Sequence, residues 1–161
     1  MAFIRKQNRL AKYDYSLPNY YFVTMCTQSR FEYFGKIINS AMVLNGCGKA
    51  AKKFWTEITQ HYTNIKLDEF VVMPNHLHAI VVIQPFMAAT GRRYSLSDII
   101  SAYKNIAGRE IRKIDLNFNW QKSFYDHVVR KEESLDKIRQ YIRNNPLQWE
   151  MDRNNSANLW M

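Results

Sequence analysis

The sequence predicts an α+β fold in which helices pack on an antiparallel sheet, and three observations support this. An apolar run is broken only at Pro74-Asn75, which predicts two strands joined by a tight turn. Aromatic and β-branched residues at positions 20–27 predict another strand. Apolar residues at helical spacing recur in stretches that alternate with these strands.

The elements follow in order along the chain. Residues 1–19 are predicted to form a basic N-terminal arm, and residues 20–27 the first strand. The first helix is predicted from apolar residues at helical spacing, namely Phe54, Trp55, Ile58 and Tyr62. Residues 67–73 and 76–83 form the predicted β-hairpin, and residues 84–94 a basic loop.

Two further helices flank the last predicted strand. Ser95 and Asp98 are typical of a helix start, and the apolar face of the second helix then runs from Ile99 to Ile111. A fourth strand lies within residues 120–130. Ser134 is predicted to cap a third helix that runs to about Asn144. This order is the ferredoxin-like split arrangement, so we expect one domain over residues 1–161, with two helices on one face of the sheet and a C-terminal helix.

Composition narrows the partners of the chain. Its 161 residues, 47% of them hydrophobic, suffice for one domain with a core. The formal charge of +9 favours an anionic partner, with nucleic acid the first candidate and a membrane surface the second. Apolar runs stay well short of the roughly 20 residues that span a bilayer, and residues 1–16 are polar and basic, so a cytoplasmic protein is expected. Cys26 and Cys47 are predicted to be buried thiols.

The predicted β-hairpin carries two histidines. Because side chains alternate along a strand, His76 and His78 should face one side, with Cα atoms roughly 6.5–7 Å apart, while Leu77 faces the other. Two imidazoles at that spacing can bind one cation. Hydrogen-bonded histidines in the core or at the surface explain the pattern equally simply, so both interpretations stay open.

The last predicted helix offers a second set of polar groups. Leu135, Ile138 and Ile142 form its apolar stripe, and Tyr141 and Asn145 lie one turn apart along the edge of that stripe. Tyr141 is either an edge-of-core residue or a nucleophile. In the second case, the amide oxygen of Asn145 could bind the same cation as the histidines.

Several motifs occur together in a fixed order along the chain. They are Tyr13-Asp14-Tyr15-Ser16, Tyr21-Phe22-Val23-Thr24, Val72-Met73-Pro74-Asn75-His76-Leu77-His78, Trp120-Gln121, Phe124-Tyr125-Asp126-His127, Arg130, Tyr141-Ile142 and Asn145-Pro146. This combination resembles a known family, the single-tyrosine HUH transposases, and within it the REP-associated tyrosine transposases. The Tyr with Asn four residues later and Pro next is typical of the REP-associated branch.

The resemblance implies a metal-dependent enzyme that cuts and rejoins single-stranded DNA containing hairpins. Mg²⁺ or Mn²⁺ would be held by His76, His78 and Asn145, and Tyr141 would form a 5′-phosphotyrosine intermediate. His127 is a candidate base or supporting group, and Tyr125 is the competing nucleophile. The protein would be a monomer or homodimer. Candidate DNA contacts lie on the arm, the basic loop and the second helix, namely Arg5, Arg9, Arg92, Arg93, Lys104, Arg109, Arg112 and Lys113.

Parts of the sequence also fit functions of other classes. A non-catalytic RNA- or single-stranded-DNA-binding module on the same fold explains the charge but has no use for paired histidines beside a tyrosine. A two-metal nuclease needs clustered carboxylates, whereas only Asp68, Glu69 and Asp126 lie near strand ends. A structural zinc site is disfavoured, because it needs four ligands and no cysteine lies near the histidines in the sequence. Charges on the second helix fit a solvated face as well as a phosphate-binding one.

Overall fold

The computed structural model describes residues 9–86 and 92–151. Its elements in chain order are β1 (Asn19–Cys26), β2 (Gly35–Ile38), β3 (Ala41–Leu44), α1 (Gly46–Glu57), β4 (Ile65–Met73), β5 (His76–Ile83), α2 (Leu96–Arg112), β6 (Tyr125–Val129) and α3 (Glu132–Asn144). Four strands form one sheet in the order β4-β5-β1-β6, and all neighbours are antiparallel. This order confirms the predicted ferredoxin-like sheet.

The alternation of side chains along the strands divides the core into two layers. On one face, α1 and α2 cover Tyr21, Val23 and Leu77, and the rings of Trp55 and Tyr103 meet with centroids 5.0 Å apart. On the other face, α3 covers a smaller cluster, formed by Phe22, Ile80, Val129, Leu135 and Ile142. The two predicted helices on one face are therefore present, and α3 lies across the sheet from them.

Two ion pairs attach α3 to the edge strand β4. Arg139 makes two hydrogen bonds to the carboxylate of Asp68, at 2.9 and 2.7 Å, and Arg143 binds Glu69 at 2.7 Å. Consecutive residues of a regular strand point to opposite faces. Here the register with β5 shifts between Leu67 and Phe70, and this β-bulge lets both acidic side chains reach α3.

The first helix begins earlier than its apolar spacing predicts. It spans Gly46–Glu57, so the prediction that it extends to Tyr62 is wrong. The side chain of Asn45 caps it by accepting a hydrogen bond from the backbone N–H of Gly48. Glycine is required at position 48, because a Cβ there would lie 2.1 Å from the carbonyl oxygen of Phe34. The helix begins with the small residues Gly46, Cys47 and Gly48, so apolar periodicity does not indicate where it starts.

A second β-hairpin, formed by β2 and β3, was not predicted. Asn39 and Ser40 connect the strands with φ angles of 50° and 60°, both in the left-handed region. Two consecutive positive φ values are what a two-residue hairpin turn requires, and Asn tolerates them better than most residues.

The two later helix starts gave different outcomes. The predicted start of α2 is confirmed, since Ser95 and Asp98 form a reciprocal capping box. The prediction that Ser134 caps α3 is wrong, because Lys131 is the N-cap and Ser134 lies inside the first turn. Glu132 and Glu133 instead place negative charge at the positive end of the helix dipole.

Two other expectations concern the cysteines and membrane spans. Cys26 and Cys47 are both buried thiols, and burial raises the pKa of Cys47. Within residues 9–86 and 92–151, every helix is too short or too polar to cross a bilayer.

Candidate active site

Strand β5 places two imidazoles side by side on the α3 face of the sheet. His76 and His78 are 0% and 1% exposed, and their ring centroids are 4.4 Å apart. Both face the same side, as the strand spacing predicts, while Leu77 lies in the opposite layer. In the described ranges, no group of three or more His, Cys, Asp or Glu side chains could hold a metal ion. A cation here would need a different third ligand.

The turn residue Asn75 fixes the tautomer of His76. Its Nδ2 donates to the carbonyl oxygen of Arg30 at 3.1 Å, which orients the amide so that Oδ1 faces Nδ1 of His76 at 2.8 Å. Because Oδ1 can only accept, Nδ1 of His76 must carry the proton. The lone pair is therefore on Nε2, the nitrogen that a cation would bind.

Thr24, directly opposite on β1, contacts the ring of His78. Its hydroxyl lies 2.7 Å from Nδ1 of His78, in the buried centre of the sheet. On the other side of the ring, the hydroxyl of Tyr141 lies 3.4 Å from Nε2. A protonated Nδ1 donating to Thr24 leaves Nε2 as an acceptor facing Tyr141, which is the tautomer that metal binding requires.

Asn145 ends α3 one turn after Tyr141, at the predicted distance along the helix edge. It is 1% exposed, and in the described part of the chain its Oδ1 has no hydrogen-bond partner. A buried amide oxygen without a partner is costly, and a cation would satisfy it. Two imidazole nitrogens and one amide oxygen fit a divalent cation such as Mn²⁺ or Mg²⁺ in the chemistry of their donor atoms.

An open cavity of about 660 Å³ gives access to this site. Its lining comes from β1, β5, β6, α3 and the segment after α3, and consists of Phe22, His78, Tyr125, Tyr141, Asn145, Gln148 and Met151. Tyr141 is 37% exposed at the cavity wall, so a macromolecular substrate can reach its hydroxyl. Behind the site, the indole of Trp149 stacks on His76 with centroids 6.0 Å apart.

Sequence reasoning missed several residues of this site. Thr24, Gln148 and Trp149 carry no local signal of their role, although Thr24 shares the face of His78 once the β1–β5 register is known. Tyr125 forms part of the wall of the same cavity, whereas His127 does not line it. His127 is exposed and lies in a neighbouring groove.

Most of the residues predicted to contact DNA either lie on the opposite face of the sheet from Tyr141 or interact with neighbouring groups of the protein. Arg5 is outside the described residues. Arg9 lies 3.4 Å from Asp126 and over the ring of Tyr15. Lys104 donates to the carbonyl oxygens of residues 121 and 123, and burial lowers its pKa.

Most of the remaining basic candidates have local partners. Arg109 and Lys113 pair with Glu110 on α2, the helix on the opposite face of the sheet from Tyr141, and Arg112 ends the same helix. Arg93 lies 3.9 Å from Asp14, and Arg92 lies over the ring of Tyr94.

Comparisons with known proteins indicate the family and agree with the fold. Residues 18–145 match a family described as IS200-like transposases. A protein of Haemophilus influenzae without an assigned function is 33% identical over 165 residues, and the match covers 92% of each chain. Among solved structures, a REP-associated tyrosine transposase bound to a REP hairpin has a TM-score of 0.58 at 15% identity and covers 90% of this chain and 76% of its own. A transposase-like protein from Deinococcus radiodurans has a TM-score of 0.52 at 16% identity, with 84% and 95% covered.

Proposed function

The chain belongs to the IS200-like transposase family, and we propose on that premise that it cleaves and rejoins single-stranded DNA through a tyrosine intermediate. The observation that carries the proposal is the approach of the Tyr141 hydroxyl to within 3.4 Å of Nε2 of His78, in a cavity that also holds the unsatisfied amide oxygen of Asn145. A DNA substrate that contains a hairpin is supported by the REP-hairpin complex of the structural neighbour.

His76, His78 and Asn145 are the proposed ligands of a divalent cation. When bound, Mg²⁺ or Mn²⁺ would polarise the scissile phosphate and favour the phenolate of Tyr141. Asn75 holds His76 in the tautomer in which Nε2 accepts, and Thr24 supports the same tautomer of His78 when it accepts from Nδ1. Trp149 shields the ring of His76 from solvent.

The chemical step is a transesterification that exchanges one phosphoester bond for another. The oxygen of Tyr141 attacks phosphorus, the bond from phosphorus to the 3′ oxygen breaks, and the DNA 5′ phosphate stays on the tyrosine. The phenolic proton leaves to solvent, and the departing 3′ oxygen takes up a proton. Rejoining is the reverse reaction with a new 3′-hydroxyl. No external energy source is required, because the number of phosphoester bonds is unchanged.

The decisive experiment tests for a covalent protein–DNA adduct. The probe is a 5′- and 3′-labelled single strand that carries the inverted repeats flanking the gene, incubated with the protein and Mn²⁺. We expect an adduct stable to denaturing gel electrophoresis and a free 3′ end for the wild type. Tyr141→Phe should give neither product.

Tyr125→Phe is the matched control, because it removes a hydroxyl from another tyrosine of the same cavity. It should still form the adduct. An adduct that persists in Tyr141→Phe and disappears in Tyr125→Phe would transfer the nucleophile to Tyr125. Tight binding of the strand without any adduct from the wild type would favour the non-catalytic binding module.

A further inference from the structure

A groove of about 460 Å³ adjoins the catalytic cavity at the junction of β6 and α3. Tyr125 lines both spaces, so the groove continues directly from the cavity that holds Tyr141. His127, Arg130, Lys131 and Ser134 line it further along the chain. The catalytic chemistry proposed above uses none of these four side chains.

The groove carries positive charge that the fold does not neutralise. Arg139 and Arg143, the other arginines near the cavity, are bound to carboxylates of β4. Arg130 and Lys131 are exposed and form no ion pair within residues 9–86 and 92–151. They thus provide two unneutralised cations beside the catalytic cavity, where a substrate of phosphodiesters must enter.

Acidic groups near the groove have other partners. Asp126 also lines the groove, but its side chain is only 1% exposed and lies 3.4 Å from the guanidinium of Arg9. Glu133 binds Lys137 on the outer surface of α3. Neither carboxylate removes the positive charge of Arg130 and Lys131.

The backbone of strand β6 offers further groups that can bind a phosphate. It is the last strand of the sheet, so only β1 pairs with it in the described chain. The outer edge of a terminal strand presents backbone N–H groups, which are common donors to phosphate oxygens in protein–DNA complexes. The ring of Tyr125 at the start of β6 can stack on a base of any sequence.

We infer that this groove holds one nucleotide of the single strand that flanks the scissile phosphate, with its base against Tyr125 and its phosphate at Arg130 and Lys131. The inference rests on the proposed function for the identity of the neighbouring cavity. Its test measures binding alone, in the Tyr141→Phe background, so a failure of the chemistry cannot be mistaken for a failure of the groove.

The first experiment follows the binding of fluorescein-labelled (dT)12 by anisotropy over a range of salt concentrations. Each phosphate contact on a single strand contributes a slope of about −0.7 in log K against log salt. Arg130→Ala with Lys131→Ala removes the contact with one phosphate and should therefore flatten the slope by about 0.7. The control variant is Lys52→Ala with Lys53→Ala, which removes the same charge from exposed residues of α1 on the other face of the sheet.

The control pair should change the slope much less. Equal slopes for the two double variants would overturn the inference, since net charge alone would then explain the effect. Circular dichroism should show an intact fold for both, because all four side chains are exposed.

The second experiment tests the stacking surface. Tyr125→Leu should weaken (dT)12 binding by about 5- to 150-fold, the range found when a stacked aromatic side chain is removed, whereas Tyr125→Phe should bind like the parent. An oligonucleotide containing 5-bromodeoxyuridine should cross-link to residues 125–134 on irradiation. Cross-links confined to α2 would place the strand on the opposite face and refute the groove.

Discussion

The ion pair between Arg139 and Asp68 is predicted to hold α3, the helix of the proposed nucleophile Tyr141, on the sheet, and Asp68→Asn tests this. The pair makes two hydrogen bonds of 2.9 and 2.7 Å, and its side chains are only 23% and 17% exposed. Hydrogen bonds to charged groups contribute about 1.5–3 kcal/mol, and asparagine keeps the shape and one acceptor oxygen. We expect Asp68→Asn to lower the free energy of unfolding by about 1–2 kcal/mol at neutral pH.

The pH dependence of the stability difference between the two proteins tests the same prediction independently. Hydrogen bonding from Arg139 lowers the pKa of Asp68 below its ordinary value. A carboxyl whose pKa is lower in the folded state stabilises the protein above its unfolded pKa of about 3.9, and that stability is lost as the pH falls through the folded pKa. The difference between wild type and Asp68→Asn should therefore be full at neutral pH and shrink in strong acid.

The assay is urea unfolding followed by far-ultraviolet circular dichroism at several pH values. Glu133→Gln is the matched control, since Glu133 pairs with Lys137 on α3 but the two side chains are 80% and 73% exposed. Such surface pairs contribute about 0.5 kcal/mol or less. The reasoning is refuted if both variants lose the same stability at neutral pH, or if the effect of Asp68→Asn persists in acid.

Three further predictions concern the site and α1. His76→Ala and His78→Ala should each retain the fold but lose adduct formation, with Mn²⁺ affinity in calorimetry reduced at least about 10-fold; undiminished cleavage would contradict the proposed ligands. Thr24→Val removes only the hydroxyl beside His78 and should weaken Mn²⁺ binding by about 10- to 100-fold, and unchanged affinity would show that this contact is dispensable. Gly48→Ala places a Cβ 2.1 Å from the carbonyl oxygen of Phe34, so thermal unfolding should show a loss of about 1–3 kcal/mol; wild-type stability would mean that the backbone adapts freely.

Local patterns in the sequence were sufficient for the sheet and for the positions of its histidines. Alternation along a strand depends only on backbone geometry, so the common face of His76 and His78 follows from their spacing. The four sheet strands and the capping box of α2 were also predictable, because the residues that determine each of them are close together in the sequence.

The remaining features depend on contacts between distant residues. Tyr141 and His78 are 63 positions apart, and Arg139 and Asp68 are 71 positions apart. No periodicity within one element can indicate which residues of another element it will meet. The β2–β3 turn was not predicted for a different reason. Its two residues with positive φ angles, Asn39 and Ser40, include no glycine, which is the usual sequence signal of such a turn.

The β-bulge in β4 makes the chain sensitive to a change in length that would otherwise be trivial. Asp68 and Glu69 both reach α3 only because one extra residue is accommodated between Leu67 and Phe70. Deletion of a single residue there would restore regular pairing and leave only one carboxylate on the α3 side. One arginine of α3 would then lose its partner, and the helix that carries Tyr141 would be attached at one point and could pivot. Related chains of different length at this position should therefore have compensating changes at 139 or 143.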